Sequence, residues 1–335
     1  MIDTLDLMLR ALDGEWMTVD ALSDVLRVIR LSGGVFLEAE FTAPWCISGK
    51  VSPEDCKPLL AAPRHVIAFH FVTAGRMQLR VGDGDAIEAC AGEVVLLPHN
   101  EVHIFGSDLN LPPVPAGEIM KDRQEGGLAR LVHGGPGEAT RLVCGYLGCE
   151  TPFNPLVAAL PRILKLNVRT TMSGAWIESS FRFAASEIAA GRVGSTTVMA
   201  KLSELLFVNA VSHFVENLPD ERRGWLAGLR DPHVGRALAL LHARPGEGWT
   251  AESVAREVGL SRSAFAERFS SLVGQPPMQY LALWRMHIAA QRLREGSRSV
   301  AQIGSGIGYE SEAAFSRAFK RHFGAAPATW RKQSG

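Results

Sequence analysis

Two short stretches near the C-terminus carry hydrogen-bonding side chains at helical spacing. The first sets Arg262, Ser263, Ala266, Glu267 and Ser270 on one face and Phe265 and Phe269 on the other. The second sets Glu312, Ala313, Ser316, Arg317 and Lys320 opposite Phe315 and Phe319. Phenylalanines four apart lie on one side of a helix and turn inward, so the polar residues must face out. An outward guanidinium suits phosphate oxygens or guanine O6/N7, and an outward carboxylate can accept from cytosine N4. Arg262, Arg268, Lys320 and Arg321 suit phosphates, which position a protein without specifying sequence. The chain shows no Ser-His-Asp constellation, phosphate loop, CxxC pair or His-Cys zinc spacing. Its chemistry is that of grasping nucleic acid, not of covalent catalysis.

Each stretch needs a scaffold, and the flanking residues supply one. Thr250 caps a helix with Ser253 in its first turn and an apolar stripe at Val254, Ala255 and Val258. Gly259 ends it, since a sharp turn there favours a residue free to take positive φ. Ser261 caps the next helix. A short helix, a glycine turn and a second capped helix make a helix-turn-helix. The pattern recurs about fifty residues on, with Val300–Ile307 as first helix, Gly308-Tyr309 as turn and Ser311 as cap. The two units span about 249–270 and 299–321. Between them Met278–Leu293, preceded by Gly274-Gln275-Pro276-Pro277 and closed by Gly296, reads as one helix. Sixteen residues make a rod of about 24 Å. It would hold two reading heads near the spacing of successive major grooves, about 34 Å.

These residues resemble the DNA-binding domain of the arabinose-regulator (AraC/XylS) family. The likeness rests on Gly274, Pro277 and Tyr280, on Ile303, and on Gly308-Tyr309-Glu310-Ser311-Glu312. It continues through Phe315-Ser316-Arg317-Ala318-Phe319-Lys320-Arg321, Gly324, Pro327 and Trp330-Arg331, and covers residues 231–332. The resemblance implies about seven helices presenting two recognition helices to adjacent major grooves. It places base-reading positions on Ser263, Ala266 and Glu267, and on Glu312, Ala313 and Arg317. Gly304 and Gly306 depart from it, each expected to cost about 1 kcal/mol relative to Ala in a helix.

The chain has 335 residues, 47% of them hydrophobic and 21% charged, enough for two or three domains with real cores. Its formal net charge is zero, but the charge is unevenly divided. Residues 222–335 hold 17 Lys+Arg against 8 Asp+Glu, a net of +9; residues 1–221 hold 18 against 27, a net of −9. A basic module facing phosphates and an acidic one avoiding them fit this division. No run of 18 or more apolar residues appears, no basic stretch precedes an apolar run near Asp3 and Asp6, and the five cysteines lack paired spacing, so a reducing cytoplasm, no signal peptide and no membrane span are expected.

The fold expected is α+β in three parts. Residues 1–150 form the sensor domain, 151–220 a helical linker and dimerisation region, and 221–335 the DNA-binding domain. A short helix is expected over Val19–Ile29. From Gly33 to Leu147, β-branched and aromatic runs broken by Gly, Pro and Asp suggest a sandwich or barrel, with Gly82-Asp83-Gly84-Asp85 as a turn and 107–127 as a loop. After Pro152 the pattern turns helical, with helices over Ala175–Ala190 and Thr196–Val215 joined by a turn at Gly191–Ser195. The apolar second helix makes a homodimer the expected assembly.

Gly92 to His103 resembles the second motif of the cupin barrels, where a glycine turn, a strand, a Pro turn and a ligand histidine follow at this spacing. His70 falls at a histidine position of the first motif. The resemblance covers residues 20–150 and implies a cupin-type sensor with His70 and His103 in a small-molecule effector pocket. Enzymatic cupins usually offer three His and a carboxylate to a metal. Here Ala68 and Ala74 stand at two of those positions, so no catalytic residue, metal or cofactor is expected. The alternatives left open are a regulator responding to metal through His70 and His103 or to oxidant through Cys46, Cys56, Cys90, Cys144 and Cys149, a cupin enzyme tethered to DNA, and a non-specific DNA binder.

Overall fold

The computed structural model describes residues 22–23, 25–26, 31–56, 63, 65–120, 129–149, 155–170, 176, 179–181, 183, 194–219, 224–296 and 298–334. The β-branched runs fold as β1 (Leu31–Thr42), β2 (Cys46–Gly49), β3 (His65–Ala74), β4 (Arg76–Val81), β5 (Ile87–Cys90), β6 (Glu93–Leu97), β7 (His103–Gly106), β8 (Val114–Pro115), β9 (Ala129–Gly134), β10 (Ala139–Cys149) and β11 (Leu164–Asn167). Two sheets result, ordered β11-β6-β3-β10-β1-β9 and β5-β4-β7-β2-β8. Strand β4 shows the two-residue period, with Met77, Leu79 and Val81 buried and Arg76 and Gln78 exposed. Leu37, Phe41, Val72, Val95 and Tyr146 of one sheet join Ile47, Leu79 and Phe105 of the other in a single core, so the sheets face each other. Among the described residues the ladders form these two sheets and not one closed barrel.

Strand β3 is buried on both faces from Val66 to Val72, which is why its sequence is a continuous apolar run instead of an alternation. One face fills the core; on the other, Phe69 and Phe71 meet the edge of Phe181. Helices α1 (Ala116–Ile119) and α2 (Pro155–Ala159) are short, and α3 (Ser195–Glu216) packs along β1. Gly33 lies so close to α3 that a Cβ there would sit 2.8 Å from the Ala200 carbonyl oxygen. Thr197–Glu216 is apolar and long enough to cross a membrane; that character is spent in part on burying Leu206, Phe207, Ala210 and Val211.

Two expectations are corrected. The stretch after Pro152 is not wholly helical: β11 pairs antiparallel with β6, Leu164 opposite Leu96. Four alternating residues are too few for periodicity to identify. The 107–127 stretch holds β8, paired with β2, and α1; residues 121–128 lie outside the described set. Most of the helix expected over Ala175–Ala190, most of the turn after it and most of the helix expected over Val19–Ile29 also lie outside it.

The C-terminal helices are α4 (Trp225–Arg230), α5 (Pro232–Ala243), α6 (Ala251–Glu257), α7 (Arg262–Val273), α8 (Pro277–Arg294), α9 (Val300–Ser305), α10 (Glu312–Phe323) and α11 (Pro327–Ser334). Contacts divide the chain into a sheet-rich unit, Ile29–Asn217, and a helical unit of Leu218–Gly335 with Met1–Val28.

Candidate nucleic-acid interface

The first helix pair is set by its caps. The Thr250 hydroxyl accepts from the Ser253 N–H at 3.0 Å, while Ser253 Oγ accepts from the Thr250 N–H at 2.9 Å. Gly259, at φ +74°, turns the chain, and Ser261 Oγ accepts from the Ala264 N–H at 3.2 Å to start α7. Phe265 and Phe269 are fully buried, edge to face at 5.5 Å. Arg262, Ser263, Glu267 and Arg268 are left exposed, with Ala266 and Ser270 half-buried.

The second pair repeats this construction. Ser299 and Gln302 form a reciprocal capping box on α9, which the sequence reading did not include. The helix expected to reach Ile307 stops at Ser305, because Gly306 to Gly308 already turn, with Gly308 at φ +84°. Ser311 Oγ accepts from the Ala314 N–H at 3.2 Å and starts α10. Phe315 and Phe319 are fully buried at 5.6 Å, and Glu312, Ala313, Arg317, Lys320 and Arg321 are exposed, with Ser316 half-buried. Gly304 is no mere lapse in helix propensity. A Cβ there would stand 3.0 Å from Phe315 Cβ, so the absent side chain lets α9 seat on α10.

Among the described residues, Arg262, Arg317, Lys320 and Arg321 have no carboxylate within ion-pair distance, which leaves their charge for another partner. Arg268 differs. Its Nε and Nη2 meet Asp231 Oδ2 at 2.8 and 2.6 Å, so a phosphate would compete with that carboxylate. The rod α8 joins the two pairs; its eighteen residues run about 27 Å.

In the sheet-rich unit, a turn at Pro98–Val102 carries the chain from one sheet to the other and delivers His103 opposite His70. Asn100 holds that turn at φ 48°, its side chain bonded to both the N–H and the carbonyl of Val51. The two histidines meet with Nε2 atoms 2.9 Å apart, and His70 Nδ1 lies 3.0 Å from Cys144 Sγ. His103 Nδ1 lies 3.1 Å from the Glu101 carbonyl, which can only accept. That fixes the protons: His103 donates from Nδ1, His70 donates from Nε2 to His103, and the Cys144 thiol donates to His70. Burial, then the neighbouring His103, holds His70 well below the usual imidazole range; burial also lowers His103 and pushes the Cys144 thiol up to about 12. All three groups are therefore neutral, as the chain of bonds requires.

A metal does not fit here. Each ring nitrogen is already spent on a neighbour, Ala68 is apolar and buried, and no group of three or more His, Cys, Asp or Glu among the described residues could hold an ion.

Residues 20–216 match the family model described as Cupin, and residues 254–333 match that of a helix-turn-helix domain. An AraC-like transcription regulator of Streptomyces antibioticus is 32% identical over 316 residues, 94% of this chain and 99% of its own. The chain belongs to the AraC-like transcription regulators. The HTH-type transcriptional regulator AlkR of Acinetobacter baylyi is 29% identical over 94% of this chain and 100% of its own. The DNA-binding domain of AdpA in complex with a target DNA is 30% identical and covers 31% of this chain and 92% of its own, with a TM-score of 0.30.

As an AraC-like regulator, the protein binds DNA through the helical unit. Its structure brings the sequence-predicted residues together as two outward faces, and His70 and His103 as a bonded pair. Cys144, named in the sequence only as one of five cysteines open to oxidant, completes that pair; 74 residues separate it from His70, so no spacing linked the two. The regulator buries Cys46, Cys56, Cys144 and Cys149 and exposes Cys90.

Proposed function

We propose that this regulator reads a specific DNA sequence with α7 and α10 and is governed by a small-molecule effector. Ser263, Ala266 and Glu267, with Glu312, Ala313 and Arg317, face the bases; Arg262, Lys320 and Arg321 face phosphates, while Asp231 holds Arg268 back from them. The observation that carries this reading is the repeated architecture: two fully buried Phe pairs fix two helices whose outward faces hold Arg262, Arg317, Lys320 and Arg321, which have no carboxylate partner among the described residues. The protein is a cytoplasmic homodimer and not an enzyme. Dimerisation is supported by exposed apolar side chains, with Trp176 55% exposed and Val198 48%. We attribute effector sensing to the sheet-rich unit, beside the bonded pair His70 and His103. The indole N–H of Trp45, buried and without a hydrogen-bond partner among the described residues, is a donor suited to such a molecule.

Footprinting on the DNA upstream of the regulator's own gene tests the reading. Arg317→Ala should weaken binding to the protected site by about 1–3 kcal/mol and leave random duplex nearly unaffected. An equal loss on both would show that Arg317 touches only phosphate.

A further inference from the structure

We propose that Arg285 is a positioning residue that sets the two recognition helices relative to each other, by clasping the segment leading into the first helix-turn-helix against the turn of the second. It rests on the two-helix reading above. Arg285 stands half-buried on the connecting rod α8. Its Nε donates to the Pro245 carbonyl at 2.7 Å and its Nη2 to the Glu247 carbonyl at 2.7 Å. Those carbonyls flank Gly246, a few residues before the Thr250 cap of α6. On its other side, Arg285 meets the second unit: a Cβ on Gly308 would sit 2.8 Å from Nη2, and equally 2.8 Å from the Gly246 carbonyl oxygen.

Gly246 explains the fit. It has no left-handed backbone to justify a glycine, yet a Cβ there would approach the Gly306 carbonyl oxygen to 3.1 Å. Only close approach of the two segments accounts for it. Arg292, two helical turns further along α8 and on the same side, donates Nη1 to that Gly306 carbonyl at 3.2 Å. Thus one face of the rod grips both units. A guanidinium suits this task because its rigid fork spans two acceptors; a lysine ammonium is a single point on a flexible stem. The segment is itself stiffened, since Arg244 stacks over Trp249 at 4.8 Å and Trp249 Nε1 donates to the Arg244 carbonyl at 2.9 Å.

If α8 alone held the units, each recognition helix could swing about its end of the rod. Two binding modules gain from being linked only while their geometry matches the sites. The test uses the full chain and a randomised DNA duplex library. Wild type should enrich two sequence blocks at one fixed spacing. Arg285→Ala should enrich the same blocks at several spacings. On the wild-type duplex its affinity should fall by about tenfold or more, while a duplex with one block is bound within about twofold of wild type. Arg285→Lys should recover only part of the loss. Gly246→Val, which wedges the junction from the other side, should relax the spacing too. Arg285→Ala keeping both affinity and fixed spacing would overturn the proposal. If Arg285→Ala unfolds by far-UV circular dichroism, a folded Gly246→Val with unchanged spacing overturns it instead. Should wild type itself enrich a single block, the two-helix reading falls first and takes the clasp with it.

Discussion

Asp231 performs two separable tasks, and one atom's difference pulls them apart. Its Oδ1 accepts from the N–H groups of His233 at 3.1 Å and Val234 at 2.9 Å, capping α5. Its Oδ2 takes Arg268 of the first recognition helix at 2.6 Å. Asp231→Asn keeps the cap, since Asn serves there about as well as Asp, and removes the ion pair. The Arg268 side chain is 49% exposed, so losing the pair should cost only about 0.2–1 kcal/mol. Asp231→Ala loses the cap as well and should cost about 0.5–2 kcal/mol more. Urea denaturation measures both. Burial pushes the Asp231 carboxyl up, but Arg268 and the two N–H groups outweigh it and hold it below its ordinary value of 3.8. The carboxylate therefore contributes stability above that value and loses it as pH falls through the lower folded one. Asp231→Asn should lack this acid limb. On DNA the consequence runs the other way. Arg268, released, becomes free for a phosphate, and one added contact should steepen the fall of log K with log salt by about 0.9. A salt slope in Asp231→Asn equal to wild type would refute the view that Asp231 withholds Arg268 from the backbone.

Three further outcomes are expected. Gly304→Ala gains about 1 kcal/mol of helix propensity but forces a methyl against Phe315, where overpacking costs about 1–3 kcal/mol; a net loss of about 1 kcal/mol should appear in denaturation, and a gain would show that the α9–α10 contact can relax. Iodoacetamide at pH 8, followed by mass spectrometry, should label exposed Cys90 and spare buried Cys144, whose thiol is pushed up to about 12; prompt labelling of Cys144 in folded protein would contradict the hydrogen-bonded chain and favour a redox role. Because His70 and His103 stay neutral in the fold and protonate near 6.5 when unfolded, stability should drop as pH falls below that value, by about 1.4 kcal/mol per unit for each imidazole; His70→Phe should flatten the limb, and an unchanged limb would show that His70 is not held neutral.

The C-terminal half was largely legible because its signals are local. Caps, positive-φ glycines and Phe pairs act within a few residues, and each operates in the structure as its spacing implies. Ser299 was readable on the same logic, since Ser-x-x-Gln before an apolar run is a capping box. The sheet-rich unit was legible only in part. Strand β11 is too short for its alternation to stand out, and β8 rests on a two-residue pairing that composition does not encode. Arg268 and Gly304 read as surface cation and imperfect helix former; only their neighbours Asp231 and Phe315 show otherwise.

The linear order of residues determined where two capped, Phe-anchored helices begin and end, that a basic half follows an acidic one, and that short strands fill the first half. These are short-range properties, set by backbone preference and side-chain period. Tertiary structure decided what lies across from what. It joined His70 to His103 and Cys144, gave Arg268 a carboxylate, and brought Gly246 against Gly308 beneath Arg285. Such contacts depend on how sheets stack and helices close over tens of residues, and nothing in the spacing of one segment records the position of another.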